Sequence, residues 1–295
     1  MYGYFTDREN DGAIPYTDLA VERRRADTSI EGVEYKREIG IFGVWERIKI
    51  SSAEGAQSIG RPMGIYDTLQ TSRMDLLDDE SKEDAKEEVA RELCYLCDIE
   101  DVFPEKVLVV GLGNAKLTPD SIGTVCADKV KPTMHVKEFD REFFDSLECS
   151  EIAVITPGVA SKTGYDSIVS IRGLCSQINP DIIIVIDSLA SRSSERLGTT
   201  IQISNTGIQP GSGIGNARNG LNKSTLGAPV LSVGVPTIID SRLFCTSESK
   251  SNKLTDLLSD NYSGMFVSPK EINDIVDSAA EIIAGGINQA FGLFF

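Results

Sequence analysis

The chain has 295 residues, 41% of them hydrophobic and 25% charged, a globular composition long enough to bury a core without metals or disulfides. Lys+Arg 29 against Asp+Glu 45 leaves a net charge of −16, which opposes general binding to nucleic acid or to an anionic membrane surface. His135 is the single histidine, so a multi-histidine metal centre is excluded, and a Ser-His-Asp or Cys-His centre would have to use that residue.

The first 25 or so residues look loose: they mix charges with glycines and contain no apolar stretch of the signal-peptide kind. No later run reaches membrane-spanning length, and the six sparse cysteines (Cys94, Cys97, Cys126, Cys149, Cys175, Cys245) read as reduced thiols of a cytoplasmic chain. From Gly40 to Ile50 β-branched and aromatic residues partly alternate, which predicts a strand, and residues 51–64 read as a Ser/Gly-rich connection. The acidic stretch Asp75 to Glu88 overlaps Ala85, Val89, Leu93 and Leu96 at helical spacing, with Ser81 and Asp84 resembling a capping box. One helix with a solvated acidic face accounts for both features. Cys94 and Cys97 fall on it and read as buried helix cysteines rather than a redox pair.

Four short apolar runs follow, Val107–Val110, Ile152–Ile155, Ile182–Ile186 and Val230–Val233, separated by segments long enough for helices. Runs without polar alternation are strands buried on both faces, so the pattern predicts an α/β fold around a mostly parallel sheet. Chemistry in such folds collects just past the carboxyl ends of the strands. After Val110 come Gly111 and Gly113, then Thr118-Pro119-Asp120; Lys116 stands where a dinucleotide loop needs its third glycine, and Asp120 reads either as an exposed carboxylate or as a helix cap. After Ile155 comes a polar loop with Gly158 and Thr163, suited to hold a substrate main chain or an oxyanion, or simply to turn into the next helix. Asp187 ends the third run and is partly desolvated there, which suits it to proton transfer; a helix cap or a partner for Arg192 reads equally well. Residues 206–216 are the most glycine-dense stretch and lack the G-K-[ST] of a phosphate-binding loop, so they read as a tight loop approaching the site or a substrate strand.

Together, Tyr16–Glu22, Gly111–Asn114 with Thr118–Asp120, Thr156–Val159 with Thr163-Gly164, Ile186–Arg192, Thr200–Ile203, Thr206–Asn216 and Gly234–Thr237 resemble the germination protease family. The blocks are collinear and dense between residues 106 and 240. The resemblance implies a three-layer α/β/α architecture with a mostly parallel or mixed sheet, similar to nucleoside phosphorylases and hydrogenase-maturation peptidases. It implies an endopeptidase made as a zymogen, which cuts itself at Asp18–Leu19, leaving 1–18 as propeptide and 19–295 as one catalytic domain. It further implies degradation of small acid-soluble spore proteins during germination, cutting between Glu or Asp and a large apolar residue, in a homotetramer of the spore core. Asp120 and Asp187 match the family's two essential aspartates, with no cofactor and no metal. Gly158, Thr163, Arg192 and Gly213 are candidates for holding substrate, Arg192 as partner of the acidic residue before the cut bond. The same architecture also serves metal-assisted maturation-type peptidases and other hydrolases, and a chain that had lost its chemistry would be a binding protein.

Overall fold

An apolar run without polar alternation needs cover on both faces. The computed structural model, which describes residues 17–24, 30–211, 219–241, 243 and 265–292, provides it. In chain order the described elements begin with β1 (Val33–Ile39), β2 (Val44–Ile50), α1 (Ala53–Ile59), β3 (Gly64–Gln70), α2 (Asp79–Ile99), β4 (Lys106–Gly111) and α3 (Ile122–Lys129). They continue with α4 (Met134–Phe139), α5 (Arg141–Ser146), β5 (Glu151–Ile155), α6 (Ala160–Thr163), α7 (Ser167–Ile178) and β6 (Ile182–Ser191). The last are β7 (Thr200–Ser204), α8 (Lys223–Leu226), β8 (Val230–Asp240), β9 (Phe266–Val267) and α9 (Ile272–Phe291).

The strands form one mixed sheet in the order β1-β2-β3-β7-β8-β6-β4-β5, with β9 added at the end of β8. The predicted apolar runs are its parallel half, β5, β4, β6 and β8. The other half is antiparallel from β8 through β7, β3 and β2 to β1. Side chains alternate across the sheet: Val107, Val109, Ile182, Ile184 and Ile186 pack with α2, α3 and α9 on one face, while Leu108, Val110, Ile183 and Val185 pack with α7 and α8 on the other. Further along that second face Ile48, Ile50 and Tyr66 pack with Ile59 of α1 and with Ala20 of the N-terminal segment. The fold is therefore α/β in three layers, as expected.

Three local expectations change. The segment 51–64 holds α1, and its serines and glycines are the ends of that helix: Ser52 Oγ accepts from Gly55 N at 2.9 Å, and Gly60 closes it at φ 68°. The cap of α2 is Asp78, whose carboxylate accepts from Ser81 N at 2.9 Å, so the Ser81 box is displaced by three residues. On α2, Cys97 is buried, and burial pushes its thiol up to about 12, whereas Cys94 is exposed and no buried pair forms.

An ion cluster fastens α2 to the antiparallel half. Arg47 of β2 donates to Asp67 Oδ1 of β3 at 2.6 Å and to Glu92 Oε1 of α2 at 2.9 Å. Burial first, then the hydrogen bond to Asp67 and its charge, hold the Glu92 carboxyl protonated well above its ordinary value of 4.5, against the pull of Arg47. The folded chain thus keeps a proton that the unfolded chain has released, so stability falls as pH rises above 4.5 by up to about 1.4 kcal/mol per unit, until the raised value is passed. Urea unfolding at two pH values, 5.5 and 8.5, should show the wild type losing about 2 kcal/mol or more across that span. In Glu92→Gln, whose amide can donate to Asp67 at either pH, less than half of that loss should remain. An equal loss in both proteins would show that another group carries the dependence.

Candidate active site

The five residues Ile182–Ile186 are fully buried, and the strand does not stop where the apolar run stops. β6 continues to Ser191, because its polar continuation is paired with β8: Asp187 lies opposite Gly234 and Ser188 opposite Val235. Asp187 is therefore a strand residue rather than a helix cap, 7% exposed, with Oδ1 accepting from Ser188 N at 2.9 Å. Just beyond it the register with β8 shifts between Leu189 and Ala190, leaving Thr237 of β8 as the extra residue of a bulge, a common device beside active sites.

Asp120 arrives from the other side. β4 ends at Gly111, Leu112 N donates to Ile186 O at 2.9 Å, and the chain turns through a single 3₁₀ turn, Thr118–Asp120, before α3. The turn is pinned by Asn114 N to Asp120 O at 2.8 Å and by Thr237 Oγ1 of β8 to Pro119 O at 2.6 Å. Its glycines are explained by close approach rather than by a nucleotide. A Cβ on Gly113, where φ is 101°, would overlap Asp120 O, and a Cβ on Gly123 would overlap the main chain of Ile186 and Leu112. The first turn of α3 thus sits directly on the strand ends and sets Asp120 over them. Asp120 and Asp187 line one cavity of about 360 Å³, together with Gly158, Leu189 and Gln209.

The same cavity is lined by Asp18. Residues 17–24 lie along the end of β6, with Thr17, Leu19 and Ala20 fully buried. Asp18 N donates to Ala190 O and Ala190 N donates back to Asp18 Oδ2, each at 2.9 Å, while Arg61 approaches Asp18 Oδ1 at 3.4 Å. Gln202 brackets the following bond: its Nε2 donates to Asp18 O at 3.2 Å, and its Oε1 accepts from Ala20 N at 2.8 Å. Glu22 is the second anchor. Its carboxylate accepts from Ser191 Oγ at 2.6 Å, Arg192 N at 2.7 Å and Ser193 N at 3.1 Å, and from the Thr17 hydroxyl. Within a chain of net charge −16, this segment is cradled by cations: burial, and then the charges of Arg61 and Arg192, lower the pKa of Arg23.

Of the residues singled out from the sequence, Asp18, Asp120, Asp187 and Gly158 meet at this cavity. Leu19 is buried beside it. Thr163 stands off, closing α6 through its hydroxyl to Tyr165 O at 2.9 Å, with its methyl near Gly158. Arg192 meets Glu22 through its main-chain N at 2.7 Å and its guanidinium to Glu22 O at 3.5 Å, and among the described residues Arg61 comes within ion-pair reach of Asp18. Gly213 lies outside the described residues. Arg61, Gln202 and the Ser191–Ser193 turn were not singled out for these contacts. Gln202 does carry a signal, since Thr200-Ile-Gln-Ile203 alternates polar and apolar as a half-buried strand does. Arg61 carries none.

A family model described as germination protease matches residues 13–251. A germination protease of Clostridium perfringens (strain ATCC 13124) is 35% identical over 93% of this chain and 94% of its own. One from Caldanaerobacter subterraneus subsp. tengcongensis is 33% identical over 93% of each chain, and one from Priestia megaterium is 37% identical over 78% of this chain and 63% of its own. A solved [NiFe] hydrogenase maturation protease from Thermococcus kodakarensis covers 63% of this chain and 96% of its own at 18% identity and TM-score 0.33, a likeness that carries no argument.

Proposed function

This chain belongs to the germination protease family, and on that premise we propose that it is an aspartic-type endopeptidase zymogen that cuts itself at Asp18–Leu19, with Asp120 and Asp187 activating the water. The observation that carries the reading is that both aspartates and Asp18, the residue before the proposed cut, line one cavity. One carboxylate removes a proton from water as its oxygen attacks the Asp18 carbonyl carbon. The other, protonated, gives its proton to the Leu19 nitrogen as the C–N bond breaks. The pair ends with one proton as it began, on the other carboxyl, so the roles belong to the pair rather than to either residue. The products are a chain ending in Asp18 and a chain beginning with Leu19.

The matured chain then degrades small acid-soluble spore proteins, and the contacts of its own N-terminal segment support the choice of site. An acidic side chain before the bond fits between Ala190 N and Arg61, and a second acidic side chain four residues on fits the Ser191–Ser193 turn. Exposed apolar side chains at the β1–β2 turn (Ile39, Ile41) and on α4 and α5 (Phe139, Phe143) support assembly of several copies. Incubation of the matured protein with a small acid-soluble spore protein, followed by mass spectrometry, tests the reading. Cuts should fall after Glu or Asp and before a large apolar residue, and a chelator should leave the rate unchanged. Cuts at sites without an acidic residue would contradict it.

A further inference from the structure

Gln202 sits on the Asp18–Leu19 peptide group and on the next one, Leu19–Ala20, and the direction of its amide is fixed. A main-chain N–H only donates, so Ala20 N holds the Oε1 end of the carboxamide at 2.8 Å and turns Nε2 toward Asp18 O at 3.2 Å. We propose that Gln202 is a further catalytic residue, the donor that holds the negative charge on the Asp18 carbonyl oxygen while the bond is cut; the inference rests on the proposed cut at Asp18–Leu19.

The sheet places Gln202 for this role. Gln202 of β7 and Asp187 of β6 both lie in register with Gly234 of β8, so the three form one row across the sheet. Neighbours in such a row project from the same face, and their main chains are about 4.8 Å apart per strand, so Asp187 and Gln202 stand about 10 Å apart at the backbone on the same side. Asp18 lines the cavity of Asp120 and Asp187 and also a neighbouring one of about 290 Å³ that Gln202 and Arg61 share. The carboxylates and the amide therefore face Asp18 from separate cavities.

When water oxygen bonds to the Asp18 carbon, the carbonyl electron pair moves onto the oxygen that faces Nε2. The contact of 3.2 Å in the ground state has room to shorten as that charge grows, which is the differential binding catalysis requires. A neutral donor suits the site, because a guanidinium there would pull the proton shared by Asp120 and Asp187 out of balance. Arg61, the nearby cation, is instead engaged by Thr17 O at 2.9 Å and by the Asp18 carboxylate.

The test uses the full chain and follows self-processing by intact mass at pH 8 in Gln202→Glu and Gln202→Leu, beside wild type and Asp187→Asn. Amide hydrogen exchange at Leu19 and Ala20, measured in the uncut Asp187→Asn background, reports whether the segment stays docked. Gln202→Glu keeps an acceptor for Ala20 N and removes the donor to Asp18 O. Both variants should process about 10²-fold more slowly or worse, the size expected for one lost oxyanion donor, with exchange at Ala20 unchanged in Gln202→Glu. A Gln202→Glu chain that processes within about threefold of wild type would reduce Gln202 to holding the segment, and so overturn the proposal while leaving the two-aspartate reading intact. A slow Gln202→Glu chain whose Ala20 amide exchanges freely would overturn it as well, since undocking alone would then explain the loss. A wild type that does not cut at Asp18–Leu19, or an Asp187→Asn chain that does, removes the underlying reading and the proposal with it. Should Gln202→Glu fail to fold, Gln202→Leu, similar in shape and apolar, decides by the same rate and exchange criteria: a rate within about threefold of wild type, or a slow rate with freely exchanging Leu19, overturns the proposal, and a slow rate with Leu19 still protected supports it.

Discussion

Asp187→Asn should leave the full chain uncut for as long as wild type takes to convert completely, a loss of about 10³-fold or more in rate. Asparagine keeps the shape of the side chain and its acceptor for Ser188 N, 2.9 Å away in the wild type, so the strand pairing with Gly234 survives. It removes the one property the mechanism needs, exchange of a proton with water or with the departing amine. Asp120→Asn should fail in the same way, because the turn that carries it is held by main-chain bonds to Asn114 and Leu117 and by Thr237 to Pro119, none of which uses the carboxylate. Since the pair works as a unit, the double variant should be no slower than either single one. Processing rates from gel shift or intact mass, with thermal melting as a control for folding, decide the matter. A single variant that processes normally would remove its aspartate from the chemistry.

Gly123→Ala should cost about 3 kcal/mol of stability or more and carry activity down with it. A single methyl on the outer face of a helix is ordinarily harmless. At Gly123 it would be driven into the main chain of Ile186 and Leu112, neither of which can move without disturbing β6 or the end of β4. The helix would have to lift from the strand ends, and Asp120, three residues before Gly123, would lift with it. Urea unfolding provides the measurement. A change under about 1 kcal/mol would mean that this junction relaxes far more easily than close-packed interiors do.

The same junction shows why only part of the site was legible from sequence. Asp120 and Asp187 stood out because each follows an apolar strand, the end of the sheet where α/β folds collect their chemistry. Gly111 and Gly113 resembled the start of a nucleotide loop, since the sequence marks where small residues are needed but not what approaches them. What approaches is α3, through Gly123 and Asp120. Asp187 read as the end of its strand because the run turns polar there, yet Asp187 to Ser191 pair with β8 and continue the strand. The parallel strands announced themselves by burial on both faces. Among the antiparallel ones β2 stood out by its partial alternation within Gly40–Ile50, but in β3 Asp67, Thr68 and Gln70 break the apolar pattern, and in β7 the alternation spans only five residues. Arg61 and Gln202 act on a segment more than 40 and more than 180 residues away in the chain, contacts that only the folded sheet creates.

The N-terminal sequence of the shortened chain shows which bond the two-aspartate cavity cuts. Purified full-length protein, incubated alone beside Asp187→Asn, should yield a single new N-terminus at Leu19 in the wild type and none in the variant. A different new N-terminus, or the same one in Asp187→Asn, would contradict the account, because the bond that Asp18 presents to the two-aspartate cavity would then not be the bond that this cavity cuts.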